Sequence, residues 1–426
     1  MEMRTAGSMP PRNGSTTMLK LLIFMMFAAF AMTTDSVGTV IPQIIREYQL
    51  GMTAAGSFHY ATMSGIGLSA IGLGFLADKM GRKWTILMGL SLFCISSALV
   101  ATGSRFGLFV MMLFVSGLGI GIFKSGALAL IGDISTSTRE HAQTMNLVEG
   151  FFGVGAIIGP AIVSYALLSG ATWKWVYIIA ALLCLILIAG SLMTPFPRHS
   201  RSAVEETDTR SVFSMLGDPI ALFFALLLML YVGAEAAIYV WAPTYFSGYS
   251  GENAWLAAYV VSIFFLLRAA GRFVGSWLLR RLDWTVVLVV CSSAMAALFL
   301  ASVLLGRGVA ALALPATGLF MSVLYPTINS TGINCFDRSR HGAIAGFLLF
   351  FTCVSAVVAP LAMAAVGDLM GNADFSMIFG AVLATLLALL CIWNCVRQPA
   401  SARLLERNQQ DYASDAVRPP ERPALS

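Results

Sequence analysis

Long apolar runs alternate with short polar breaks along nearly the whole chain. Cutting the 426 residues at charged or Gly/Pro-rich breaks yields twelve runs, centred near Phe27, Gly67, Phe93, Gly117, Gly155, Leu182, Met229, Phe264, Ser293, Gly318, Val354 and Ala384. A helix needs about 20 consecutive apolar residues to cross the hydrocarbon core of a bilayer. Each run has that length, so the pattern predicts twelve spans. One substantial polar stretch, PFPRHSRSAVEETDTR from Pro195, falls between the sixth and seventh. The expected organisation is a tail at 1–18, a six-helix bundle at 19–194, a linker at 195–217, a second six-helix bundle at 218–396 and a tail at 397–426. The tail from Gln398 to Ser426 is rich in Arg, Ala and Pro and reads as disordered.

Composition agrees with an all-α membrane protein: 58% of residues are hydrophobic and 11% charged, where soluble domains carry about 25% charged residues. With both termini cytoplasmic, nineteen Lys and Arg fall on the cytoplasmic side and four (Arg46, Arg105, Lys174 and Arg307) on the other. That bias sets the orientation by the positive-inside rule, and it accounts for the net charge of +5 without a nucleic-acid partner. Lys20 followed by LLIFMMFAAFA imitates a cleavable signal peptide, but the apolar run continues through VGTVIP and is read as an uncleaved first span. Seven scattered cysteines and four dispersed histidines form no disulfide framework and no metal-ligand spacing. No nucleophile–base set, zinc motif or phosphate-binding Gly-rich loop is present, so the sequence points away from an enzyme or an ATP-driven pump and implies no cofactor.

Between the second and third runs lies the charged turn GFLADKMGRK, Gly74 to Lys83. It resembles the loop between helices 2 and 3 of the major facilitator superfamily, G-x-x-x-D-[RK]-x-G-R-[RK], at every fixed position. The resemblance implies twelve helices in two pseudo-symmetric six-helix bundles, and a gating role for Gly74, Asp78, Lys79, Gly81, Arg82 and Lys83. Asp78, at the membrane exit, is expected to face the positive end of a neighbouring helix. A weaker copy, GSWLLRRLDWTVVL from Gly275, repeats the glycine, basic pair, tryptophan and threonine after the eighth run, with Leu279 where Asp78 stands in the first. Such symmetry between halves accompanies a substrate site near the midplane. The strings NLVEGFFGVGAIIGP from Asn146, YVGAEAAIYVWAPTYF from Tyr231, GRFVGSWL from Gly271 and FMSVLYPTINSTGI from Phe320 look like the fucose and glucose/galactose permease branch. Its proton-using members carry a carboxylate in the fourth helix, where this chain has Ile122 and Lys124.

Charges within the spans are the candidate machinery, since a charge at bilayer depth costs about 2.5–3.5 kcal/mol on insertion scales and faces a cavity or a partner. Asp35, Lys124 and Glu149 lie in the first half; Glu235 and Arg268 lie in the second, with Arg272 one turn further. A lysine between two carboxylates would hold both ionised, and its withdrawal would let one take a proton. Asn146, Asn329 and Asn334 offer donors and acceptors, while Tyr239, Trp241 and Tyr325 offer flat faces with polar tips. His59 and Tyr60 are weaker candidates, and Trp241 is also a candidate for the interfacial aromatic belt. The expected function is secondary active transport of a sugar or related small polar solute by alternating access, coupled to a proton or sodium, in a lipid bilayer and as a monomer. The alternative is a proton-driven efflux antiporter for organic compounds, because GVGAIIGP, Gly153 to Pro160, resembles the antiporter motif of the fifth helix.

Overall fold

Without water, every backbone N–H and C=O in a spanning segment must be bonded within the protein, and a helix does this along its own length. The chain obeys. The computed structural model describes residues 13–72, 79–135, 138–197, 214–337 and 340–406, and it is helical with no strand among them. In order the helices are α1 (Asn13–Thr34), α2 (Val37–Tyr48), α3 (Met52–Ala55), α4 (Ser57–Gly72), α5 (Arg82–Thr102), α6 (Phe106–Ile134), α7 (Thr138–Leu168) and α8 (Trp175–Met193). Then follow α9 (Pro219–Ala236), a π-helical segment (Ala237–Trp241), α10 (Ala242–Tyr245), α11 (Ala254–Ala258), α12 (Val260–Leu279), α13 (Trp284–Leu304), α14 (Arg307–Asn334), α15 (His341–Met370) and α16 (Asp374–Arg397). Eleven helical stretches among the described residues are long and apolar enough to span a membrane. The apolar α4, 16 residues as described, joins them. All twelve centres read from the sequence fall within helices.

Two spans expected to be single helices are broken. The first divides into α1 and α2 at Asp35–Ser36, and the seventh widens into the π segment directly after Ala236. Short hydroxyl side chains engage backbone carbonyls at the first break. Thr33 Oγ1 donates to Phe30 O at 2.9 Å, Ser36 Oγ donates to Thr33 O at 3.0 Å, and Thr34 Oγ1 donates to Asp35 Oδ2 at 3.0 Å. Such side chains compete with the helix ladder locally, which is how a break becomes tolerable in a buried segment.

The chain forms two compact units. Unit one comprises Met1–Ala203, Ile238–Leu266 and Pro360–Phe375; unit two comprises Val204–Ala237, Leu267–Ala359 and Ser376–Ser426. Within unit one α1 lies on α7 at very close range, because a Cβ at Gly155 or Gly159 would overlap the carbonyl oxygens of Ala28 and Met32. This small-xxx-small spacing lets backbones approach and dispersion act without a hydrophobic driving force. The basic residues of the charged turn anchor neighbouring helix ends. Arg82 Nε donates to Asp133 Oδ2 at the end of α6 at 2.9 Å, and Lys83 Nζ donates to Leu192 O of α8 at 3.0 Å. Gly81, at φ 81°, opens α5 in a conformation that a side chain would strain. Gly74 and Asp78 lie outside the described residues.

In unit two, α13 packs on α14 and α14 on α9, while Ser355 Oγ of α15 donates to Met229 O of α9 at 2.6 Å. The expectation of a disordered end needs correction at its start, since residues 401–406 are helical. The reason is Arg403, whose Nη1 donates to both carboxylate oxygens of Asp218, at 2.8 and 3.0 Å, and whose guanidinium lies 5.4 Å from the Phe336 ring. Asp218 in turn accepts from the N–H groups of Ile220 and Ala221, capping α9.

Burial pushes the Asp218 carboxyl upward, but the Arg403 and backbone hydrogen bonds outweigh it and hold the group below its usual range. A carboxylate with a depressed folded value stabilises fully above its unfolded value, near 3.8, and loses that contribution as pH falls through the folded value. Arg403→Ala should therefore lower the melting temperature modestly at pH 7, by less than about 1 kcal/mol of stability for so exposed a pair. The deficit should shrink in thermal scans as pH falls from the usual Asp value, near 3.8, through the lower folded value.

Candidate functional site

Two of the charged residues of the spans, Asp35 and Glu235, stand at the two helix breaks. In unit two, Glu235 occupies the last turn of α9, directly before the π segment, and is 8% exposed. It forms an ion pair with Arg268 of α12. Tyr231, one turn earlier and wholly buried, lies within electrostatic reach of both charges, as does Arg272 of Glu235. The Tyr231 ring is 5.7 Å from that of Tyr325 on α14, centroid to centroid. Asn329 is half-buried one turn beyond Tyr325, whereas Asn334, at the end of α14, is exposed. A π turn inserts one residue into a helix and commonly marks a working position. Here it also restores the internal symmetry: Asp35 precedes Pro42 by seven residues and Glu235 precedes Pro243 by eight, the difference being the inserted residue. Each half thus carries one carboxylate where its first span breaks.

In unit one, Asp35 is half-buried at the α1–α2 break with Thr34 on its carboxylate. Lys124 of α6 is also half-buried, and its ammonium faces Phe27 and Phe30 at 5.9 and 5.7 Å from the ring centroids. That contact is of the cation–π kind. Asn146 and Glu149 are exposed on one side of α7, where Gly150 and Gly153 have open space beside them. They therefore border a free volume rather than a packed core. Tyr239 falls within the π segment and in unit one; its ring meets His59 edge-on at 5.6 Å and tilts against Phe265 at 6.4 Å.

Trp241 departs from the interfacial position considered for it. It is fully buried and donates through Nε1 to Pro360 O at 3.0 Å. Lys79 is exposed, and Arg82 and Lys83 serve the helix ends described above. Sequence reasoning passed over Tyr231, which carries no charge and sits in an unbroken apolar run. It also passed over Asp368, beside a loop, where an acidic residue draws no attention.

Comparison with known proteins follows the same lines. A family profile described as Major Facilitator Superfamily matches residues 21–360. The L-fucose-proton symporter of Escherichia coli (strain K12) is 25% identical over 387 residues, spanning 82% of this chain and 87% of that protein. The glucose/galactose transporter of Brucella abortus biovar 1 (strain 9-941) is 24% identical over 374 residues, again spanning 82% and 87%. Among solved structures, the nucleoside transporter NupG superposes with a TM-score of 0.73 at 13% identity, covering 91% of this chain and all of that one.

Removing one member of a buried ion pair strands the other, at a cost of about 3–5 kcal/mol. Glu235→Gln should accordingly lower the melting temperature of the detergent-solubilised protein by several degrees. Adding Arg268→Gln should recover part of the loss, because the double variant leaves no charge unpaired. A double variant as unstable as the sum of the singles would show that the two side chains are not coupled.

Proposed function

Because the chain belongs to the major facilitator superfamily, we propose that it imports a sugar or related small polar solute by alternating access, with a proton as the coupling ion. Fold and relatives are those of transporters rather than enzymes, and the protein is a multi-pass membrane protein. The observation that carries the finer reading is the pair of carboxylates at equivalent breaks, Asp35 in the first half and Glu235 in the second. A helix break frees backbone groups for a ligand, and a carboxylate beside it can accept two hydroxyl hydrogen bonds of the stronger, charge-assisted kind. Glu235 is the acceptor for solute hydroxyls in this scheme, with Tyr325 and Asn329 supplying a flat face and an amide. Arg268 is its ion-pair partner until solute arrives.

Coupling falls to the first half. Asp35 and Glu149 are its candidate carboxylates, and Lys124 rests on aromatic faces. Movement of Lys124 between those rings and a carboxylate would alternately favour the ionised and protonated forms, which is what a proton-coupled carrier requires. Lys124 also offers a positive site for a carboxylated solute such as a sugar acid. Two relatives are supportive in name: an L-fucose-proton symporter and a glucose/galactose transporter.

Thermal-shift screening against sugars, sugar acids and polyols, at two pH values with and without sodium, identifies the solute class by the stabilisation that a bound ligand confers. With that solute, Asp35→Asn or Glu149→Gln should reduce accumulation against a gradient by about tenfold or more in proteoliposomes. Exchange of solute across the same membranes should persist. Full accumulation in both variants would remove these carboxylates from the coupling path, and stabilisation by apolar organic cations alone would favour efflux instead.

A further inference from the structure

A cluster of unusual contacts in unit one lies at the ends of the helices away from the linker and the chain termini, the extracytoplasmic side by the charge bias. The short α3 begins at Met52, preceded by Gly51 in an extended conformation with no side chain to cap it. The first N–H groups of a helix need an acceptor. Here the acceptor is distant in sequence: Asp368 Oδ1 receives the Met52 N–H at 2.7 Å and Oδ2 the Thr53 N–H at 2.8 Å. A Cβ at Gly51 would come within 2.9–3.1 Å of that carboxylate, so the absent side chain is what admits it. Two turns before Asp368 on α15, Pro360 O accepts from Tyr60 Oη of α4 at 3.2 Å and from Trp241 Nε1. At Gly38 of α2, a Cβ would overlap the backbone of Tyr239. Three first-half elements thus close on the π segment and the end of α15 through contacts that need small residues or a capping carboxylate.

We propose that Asp368 is a positioning residue of the transport cycle: its carboxylate, capping α3, latches the extracytoplasmic end shut, and its release opens that end to solute. The second and third contacts, Pro360 O with Tyr60 and Trp241, and Gly38 with Tyr239, complete the seal. None of these bonds is part of a continuous helix ladder, so the end can part without unfolding any span. The inference rests on the transporter reading for its purpose, but its test reads accessibility and needs no solute.

The reporter is Thr244→Cys, a buried position in α10, in a Cys353→Ala background and reconstituted in lipid. A membrane-impermeant maleimide added from the extracytoplasmic side measures opening. Asp368→Ala should speed labelling roughly tenfold, in the range that loss of a helix cap allows. Gly51→Asp added to Asp368→Ala gives α3 a cap of its own but no tie to α15. The double variant should regain thermal stability while labelling stays fast. Recovery of both together would mean that Asp368 only stabilises α3, and would overturn the latch. Tyr60→Phe, which removes one hydroxyl and leaves the ring, should speed labelling several-fold on its own. Unchanged labelling in both Tyr60→Phe and Asp368→Ala would likewise overturn the proposal.

Discussion

Hydrocarbon offers no hydrogen-bond partners, and that constraint governs where this chain can be irregular. A span interrupted in lipid must have its freed backbone groups satisfied by protein. The two interruptions of the long spans, at Asp35–Ser36 and at Ala237–Trp241, accordingly come with polar company. Hydroxyls of Thr33, Thr34 and Ser36 line the first, and the Glu235–Arg268 pair stands at the second. The same polarity that makes the breaks tolerable supplies chemistry at bilayer depth. Structural necessity and functional opportunity therefore coincide at two equivalent places, one in each half.

The two places differ in how their charge is held. Glu235 is buried and ion-paired, an arrangement that costs desolvation and rewards only a close partner. Asp35, Lys124 and Glu149 are at least partly exposed, and the lysine rests on aromatic faces. A fixed pair suits recognition, because it presents a carboxylate in one orientation. Partly exposed charges suit exchange of a proton, and under the proposed function recognition and coupling would be divided between the two halves.

Much of this was legible in the sequence because hydrophobic length is an unambiguous signal in lipid. Every span centre fell in a helix, and the motif glycine Gly81 proved to need the backbone angle that only glycine adopts easily. Glu235 and Arg268 were both singled out, and two opposite charges in adjacent spans have few partners other than each other. The breaks were not foreseen: a π insertion changes the count by a single residue, and hydrophobic pattern is blind to one residue in a uniformly apolar run. Nor was the placement of the Lys124 ammonium over Phe27 and Phe30, which depends on rotamers and on those rings being near. Trp241 was weighed as interfacial because the sequence does not say that Pro360, more than a hundred residues on, would supply its acceptor. Asp368 was missed for the same reason, as its partners are backbone N–H groups that any residue could carry.

The central claim is that solute movement through this protein is bound to proton movement through carboxylates at bilayer depth. Proteoliposomes of the purified protein, enclosing no gradient and suspended in weakly buffered medium with a pH-sensitive dye, test it in one step. Adding the stabilising solute outside should raise the external pH as protons enter with it, in fixed proportion to the solute taken up and without sodium. Solute uptake at an undiminished rate with no change in external pH would contradict the account.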